Sequence, residues 1–314
     1  MLSVCIPIFN FNVKPLVYSL LAGQQGLAFP YEIVLIDDGS AENYRAENGR
    51  LQNDKVRYVQ LPENIGRSGT RNEFLKHVRF NYLLFLDCDS VIISPLFLSN
   101  YMNEIGKEAK VVCGGRVYAA EKPPAPYRLH YNYGRWNESK PAAVRSTHPY
   151  RSFMTNNFMA EKTMLSSIQF NNRIKSYGHE DTLFGYELKK RNIQVKHIEN
   201  PLLHGVLQTN EEFLAKTESA LANLCSILAY VQNDPVFIEE VALLRFYVRL
   251  KKLRYLFLVR IKYAALKPIL KIILLNGYGR YGILNFYKLG FFARVCKKLF
   301  TPALRRRSYA NRLH

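Results

Sequence analysis

Neither aspartate nor glutamate occurs between Val241 and His314, although that stretch carries 18 lysines and arginines. The other 26 basic residues and all 25 acids lie in residues 1–240, so the body is close to neutral and the tail carries the net charge of +19. Long uncharged apolar runs are also missing. The tail sequence VALLRFYVRLKKLRYLFLVRIKYAALKPILKIILL is broken every few positions by Arg or Lys and never approaches the ~18 apolar residues of a spanning helix. Cysteine is sparse. Cys5, Cys88, Cys113, Cys225 and Cys296 are odd in number, widely spaced and without a CxxC pair, which argues against a disulfide framework and reads as reduced thiols in a cytosolic protein. An apolar strand begins at Leu2 with no charged leader before it, so secretion through a cleaved signal is not expected. ENIGRSGTRN has neither the lysine and spacing of a P-loop nor the GxGxxG pattern, and no fixed-period repeat is evident.

With 314 residues and 48% apolar content, the chain can form one large α/β domain or one domain with a substantial appendage. Apolar, β-branched runs recur at LSVCIPIF, YEIVLID, VRYVQL, YLLFLD and KVVCGGRVY, separated by stretches that can be helical at 13–22, 40–50, 67–79 and 94–105. Runs of this kind belong in a sheet covered on both faces, and their alternation with helices predicts an open, mainly parallel, doubly wound α/β fold. Ligands of such sheets sit at the carboxyl ends of the strands. Acids fall there twice, as Asp37 and Asp38 of DDGS and as Asp87 and Asp89 of FLDCDS. The alternation of Asp87, Cys88 and Asp89 puts the two acids on one side, where hard oxygen ligands suit Mg²⁺ or Mn²⁺; a turn with helix-capping aspartates is the other reading. Residues 119–152, with five prolines and many aromatics, read as a long irregular loop. A short strand, a helix from 162, the acid motif GHEDTLF, a strand at IQVKHI and a histidine-bearing turn at LLHGV follow.

Six segments in this order, SVCIPIFN, VLIDDGS, ENIGRSGTRN, FLDCDS, TNNFMAEK and GHEDTLF, resemble the family 2 glycosyltransferases of the GT-A fold, over about residues 1–210. The resemblance implies a metal-dependent, inverting hexosyltransferase using a nucleotide-sugar, by family habit a UDP-sugar, with Mn²⁺ or Mg²⁺ as cofactor. It implies Pro7, Phe9, Asp38, Arg71 and Asp87 as nucleotide contacts, and Asp89 as a direct metal ligand joined by His204. Asp181 would be the general base, and Glu180, Asn157 and Arg116 would lie near donor or acceptor sugar. Trp136, the only tryptophan, sits among tyrosines that either stack on sugar faces or pin their own loop. For Asp38 a turn and N-cap role, for Arg71 a solvated ion pair, and for Glu180 and Asp181 a helix-dipole role stand beside these.

The expected organisation is a nucleotide-sugar domain at 1–232 and a basic amphipathic helical region at 233–314. A basic helix interleaved with Leu, Phe and Tyr fits an anionic membrane surface. A hairpin packed with its charges solvated and a nucleic-acid-binding tail are the alternatives, the last ranked lowest because no binding module accompanies the charge, so no nucleic-acid partner is expected. The expected partners are thus a nucleotide-sugar, a glycan or lipid-linked acceptor and the inner face of a cell membrane, reached from the cytoplasm. A non-catalytic scaffold of the same fold is the competing class, and the intact acid set argues against it.

Overall fold

The computed structural model describes residues 1–23, 29–172 and 177–299, with side chains through Cys296. Seven strands form the main sheet: β1 (Leu2–Ile8), β2 (Tyr31–Asp37), β3 (Val56–Gln60), β4 (Tyr82–Leu86), β6 (Val111–Cys113), β8 (Asn157–Glu161) and β9 (Val195–His197). Three short strands, β5 (Ser90–Val91), β7 (Arg116–Val117) and β10 (Leu202–His204), make a second sheet in the order β5-β10-β7. The main sheet runs β3-β2-β1-β4-β8-β6-β9 and is parallel except at β8, which pairs antiparallel with both β4 and β6. The expected mainly parallel α/β sheet is present.

Period-two alternation explains why these apolar runs are strands. Val4, Ile6, Ile33, Leu35, Leu84 and Leu86 enter one core layer, beneath helices Lys14–Ala22 and Phe97–Met102. Their neighbours Cys5, Val34, Ile36, Leu83 and Phe85 enter the other, against helices Gly66–His77 and Glu180–Lys190. Both faces are therefore buried, which a parallel sheet requires. Phe85 stacks on Phe158 across the β4–β8 pair at 4.9 Å, and burying such a ring stabilises by about 1.5–3 kcal/mol.

The run KVVCGGRVY is not one strand. It breaks at Gly114 and Gly115 into β6 and β7, which belong to different sheets. Gly115 has φ +91°, and a Cβ there would lie 2.7 Å from Nη2 of Arg145, so both the backbone conformation and the space require glycine. Arg145, 2% exposed, donates to the carbonyls of Cys113, Gly114, Ile198 and Lys140 and meets Nδ1 of His197 at 2.7 Å. That side chain adds a second hydrogen bond to the Cys113 and Gly114 carbonyls, which also accept from the Ile198 and Asn200 N–H groups. Residues 119–152 are not an irregular loop either: a 3₁₀ turn at Ala125–Tyr127 and helices at Arg128–Asn137 and Ala142–Ser146 fill the stretch. The prolines start these elements, with Pro124 and Pro141 at N-cap positions, where a missing N–H costs nothing.

By contacts the chain forms two compact units. The first comprises Met1–Glu121, Gly134–Lys175 and Glu180–Val206; the second comprises Lys122–Tyr133, 176–179 and the chain from Leu207 onward. The position expected as a domain boundary, 232/233, falls inside the second unit. Within it, helix Asn210–Tyr230 opens on a capping box between Thr209 and Glu212 and is followed by helices Ala242–Lys252, Leu256–Leu275 and Tyr281–Leu299. Leu214, Tyr263, Leu270, Leu274, Leu284 and Tyr287 form its core, and the Tyr287 hydroxyl donates to Glu218. Cys225 and Cys296 are joined in a disulfide with Cα atoms 5.8 Å apart, which corrects the reading of five reduced thiols. Helix packing brings together residues 71 positions apart, which spacing along the chain could not show; Cys5, Cys88 and Cys113 are free. Among the described residues no helix is long and apolar enough to cross a membrane.

Candidate active site

At the carboxyl edge of β1 and β2, Pro7 is half-buried and Phe9 is exposed. Asp38 follows β2 and is buried. Its Oδ1 accepts from the Ile65 N–H at 2.7 Å and its Oδ2 from the Gly66 N–H at 3.0 Å, so the carboxylate fixes the start of helix Gly66–His77. Burial raises its pKa despite those bonds, with Asp37 adding to the effect. Asp37 is occupied structurally, accepting from the Ser40 N–H at 2.7 Å and the Tyr58 hydroxyl at 3.0 Å.

The helix anchored by Asp38 carries Arg71 inward, 3% exposed, which removes the solvated ion-pair alternative. Nη2 of Arg71 donates to Asp87 Oδ1 at 3.1 Å, and Nη2 of Arg116 donates to Asp87 Oδ2 at 3.1 Å. Asp87 thus lies between two guanidinium groups. Burial pushes its pKa up, but the two arginines outweigh burial and hold the carboxyl below the ordinary range. Arg116 also donates to Glu138 at 3.2 Å, and the Tyr118 hydroxyl donates to the same carboxylate at 2.6 Å. Glu138 and Tyr118 complete a charged network that sequence reading missed. Their only signal was that Glu138 is one of two acids in the otherwise basic stretch 119–152.

The second sheet joins Asp89 to His204. β10 pairs antiparallel with β5, placing His204 opposite Ser90, and the Gly205 N–H donates to the Asp89 carbonyl at 3.0 Å. A Cβ on Gly205 would come within 2.6 Å of that carbonyl, so the close approach depends on glycine. His204 Nδ1 lies 3.5 Å from Asp89 Oδ2. Burial, with Arg116 nearby, pushes the imidazole pKa down to about 4, so at neutral pH it is uncharged and the contact is not an ion pair. Burial and the neighbouring Asp87 raise Asp89 to about 6. A neutral imidazole and a carboxylate at this separation are a donor set that fits Mn²⁺. Among the described residues no group of three His, Cys, Asp or Glu could hold a metal ion.

Glu180 and Asp181 form the first turn of helix Glu180–Lys190. Glu180 Oε1 pairs with Nη1 of Arg67 at 3.3 Å, while its Oε2 is buried without a hydrogen-bond partner. Asp181 is half-buried and accepts from the Thr182 N–H at 2.7 Å. Burial first, then the Glu180 charge, raises its pKa to about 6, with Arg71 acting against them. A carboxyl group poised there can gain and lose a proton near neutral pH.

Two expected sugar contacts sit differently. Asn157 is 1% exposed; its Nδ2 donates to the carbonyls of Gly115 and Asn200, both at 2.9 Å, and its Oδ1 accepts from the Tyr101 hydroxyl at 2.6 Å. Its amide atoms are committed to holding the β6–β7 break. Leu86 pairs with Asn157, and the Asp87 N–H donates to the Asn156 carbonyl at 3.1 Å, so the turn residue Asn156 lies beside Asp87 just before β8 begins. Asn156 is 4% exposed and its Nδ2 is buried without a partner. Trp136 is on helix Arg128–Asn137, two residues before Glu138, and is 41% exposed.

The family model described as "Glycosyl transferase family 2" matches residues 3–170. Against chondroitin synthase from Escherichia coli the chain is 24% identical over 274 residues, covering 76% of this chain and 39% of that protein. Against hyaluronan synthase from Pasteurella multocida it is 24% identical over 223 residues, covering 60% and 22%. The chain therefore spans less than half the length of either relative. Among solved structures, the mannosyltransferase PcManGT from Pyrobaculum calidifontis, in complex with GDP-Man and Mn²⁺, shares the fold with a TM-score of 0.60. That match covers 95% of this chain and 86% of that one at 14% identity.

Proposed function

This chain belongs to glycosyl transferase family 2 and is a glycosyltransferase, and we propose that it moves a sugar from a UDP-sugar to a glycan or lipid-linked glycan hydroxyl by metal-dependent, inverting single displacement. The observation that carries this reading is the convergence of three differently tuned carboxylates. Asp87 is locked between Arg71 and Arg116, Asp89 faces a neutral His204, and Asp181 is raised to about 6.

Asp89 and His204 would hold the divalent ion, which supplies Lewis-acid charge against the diphosphate when bound. Arg71 and Arg116, fixed by Asp87, add positive charge that is already oriented before the donor arrives. Phe9 and Pro7 offer an apolar surface for the base, and Asp38 anchors the loop beside it. Asp181 accepts the acceptor hydroxyl's proton. The acceptor oxygen then forms its bond to the anomeric carbon as the bond to the leaving phosphate oxygen breaks, which inverts the configuration. Glu180 Oε2, an acceptor, and Asn156 Nδ2, a donor, are buried groups whose hydrogen bonds sugar hydroxyls would complete. Asn156 therefore takes the place expected of Asn157.

The Cys225–Cys296 bond removes the cysteine argument for a cytoplasmic location. An inner-face location is supported instead by the acid-free tail. The test is UDP release from a panel of UDP-sugars with Mn²⁺ and a glycan acceptor. Asp89→Ala and Asp181→Ala should each abolish turnover, and unchanged turnover in either would refute the assignment.

A further inference from the structure

Helix Leu256–Leu275 in the second unit exposes two chemically different faces. Tyr263, Leu270 and Leu274 are buried on one face. On the other, Phe257, Ile261, Ile269 and Ile272 recur at helical intervals and are 57–61% exposed, with Leu258 beside them. Such large side chains are normally buried, and a row of them along one helix face marks a contact surface. Lys262 and Lys271 flank the row on its two sides. Immediately before this helix a cavity of about 400 Å³ is lined by Arg245, Arg249, Lys252 and Leu253, with Glu239 the one acid at its wall. Arg245 donates to the Glu239 backbone carbonyl, leaving the wall rich in guanidinium and ammonium groups.

We propose that the second unit docks on an anionic lipid bilayer, with the apolar row of helix Leu256–Leu275 inserted among acyl chains and the Arg249/Lys252 cavity holding a lipid phosphate headgroup. Charge decides the occupant. Residues 241–314 hold 18 basic residues and no acid, so a second copy of the same face would set like charges against each other. An anionic bilayer matches both the charge and the apolar row. No helix among the described residues is long and apolar enough to span, which fits a surface element. The inference stands on the second unit's residues and does not depend on the catalytic reading.

Sedimentation of the full chain tests it, using phosphatidylcholine vesicles with and without phosphatidylglycerol. Binding should require the anionic lipid and weaken with salt. Arg249→Gln with Lys252→Gln should lower the partition coefficient roughly 25-fold, about fivefold per charge. Phe257→Ser with Ile261→Ser should lower it at least tenfold at low salt, and both variants should keep wild-type melting and Mn²⁺-dependent UDP binding. Failure of the wild type to bind anionic vesicles at low salt would overturn the proposal. So would undiminished binding by both variants, equal binding to phosphatidylcholine alone, or a change in oligomeric state as the only effect. Full displacement from vesicles by inorganic phosphate at matched ionic strength would assign the cavity to a soluble anion and overturn the lipid assignment.

Discussion

Changing Glu180 to glutamine should move the acid limb of the pH–rate profile without abolishing it. The cause lies in Asp181, whose pKa is raised to about 6 by burial and then by the Glu180 charge, against an ordinary value of 3.8. The carboxylate is the form that accepts the acceptor's proton, so activity is present above about 6 and lost as the pH falls through that value. With a pKa of about 6, roughly nine-tenths of Asp181 is ionised at pH 7 and about one-tenth at pH 5, giving a roughly tenfold fall in kcat/KM. Glu180→Gln removes one of the two causes and leaves burial, so the limb should shift toward lower pH. Asp89, raised by burial and by Asp87, would be held ionised by the bound metal at saturating Mn²⁺. The shift therefore reports Asp181. Asp181→Asn should cost about 10²–10⁴-fold in kcat and remove the limb. Initial rates of UDP release at saturating Mn²⁺ from pH 5 to pH 8 measure this; a limb that stays in place in Glu180→Gln, or an Asp181→Asn enzyme within tenfold of wild type, would refute the assignment.

Asn157→Ala should lower stability by roughly 3 kcal/mol, because three buried hydrogen bonds, to the carbonyls of Gly115 and Asn200 and from the Tyr101 hydroxyl, are lost, as read by chemical denaturation. Asn156→Ala should instead leave the melting curve near wild type, keep UDP affinity and raise KM for the UDP-sugar. His204→Ala should weaken Mn²⁺-dependent UDP binding by about tenfold or more in calorimetric titration, with metal-independent UDP binding unchanged. Alkylation in denaturant without reductant should label three of the five cysteines, and Cys225→Ala should cost about 2–4 kcal/mol through loss of the link across 71 residues.

The strands were legible because each is a continuous apolar run whose alternate residues enter two core layers, and the acids were legible because polar residues ending such runs have few structural uses. That KVVCGGRVY splits between two sheets was not legible, because composition cannot show that Arg145, some thirty residues on, packs against Gly115 and donates to the Cys113 and Gly114 carbonyls. The same limit hid Glu138 and Tyr118, whose importance comes from facing Arg116. Nor can sequence separate Asn156 from Asn157: two adjacent asparagines look alike, and only the fold shows that Asn157 bonds to Gly115, Asn200 and Tyr101 while Asn156 lies beside Asp87.

The sequence by itself determined the residue types available for the chemistry, their order along the chain, the sheet that gathers them at one edge, and the separation of a neutral body from a basic tail. These are local properties, set by periodicity and charge. Tertiary structure alone decided the protonation states and the partners. Burial beside Glu180 raises Asp181, burial beside Arg116 leaves His204 neutral, two arginines hold Asp87 ionised, and helix packing joins Cys225 to Cys296. Desolvation and charge proximity depend on distances between residues remote in sequence, and only folding sets those distances.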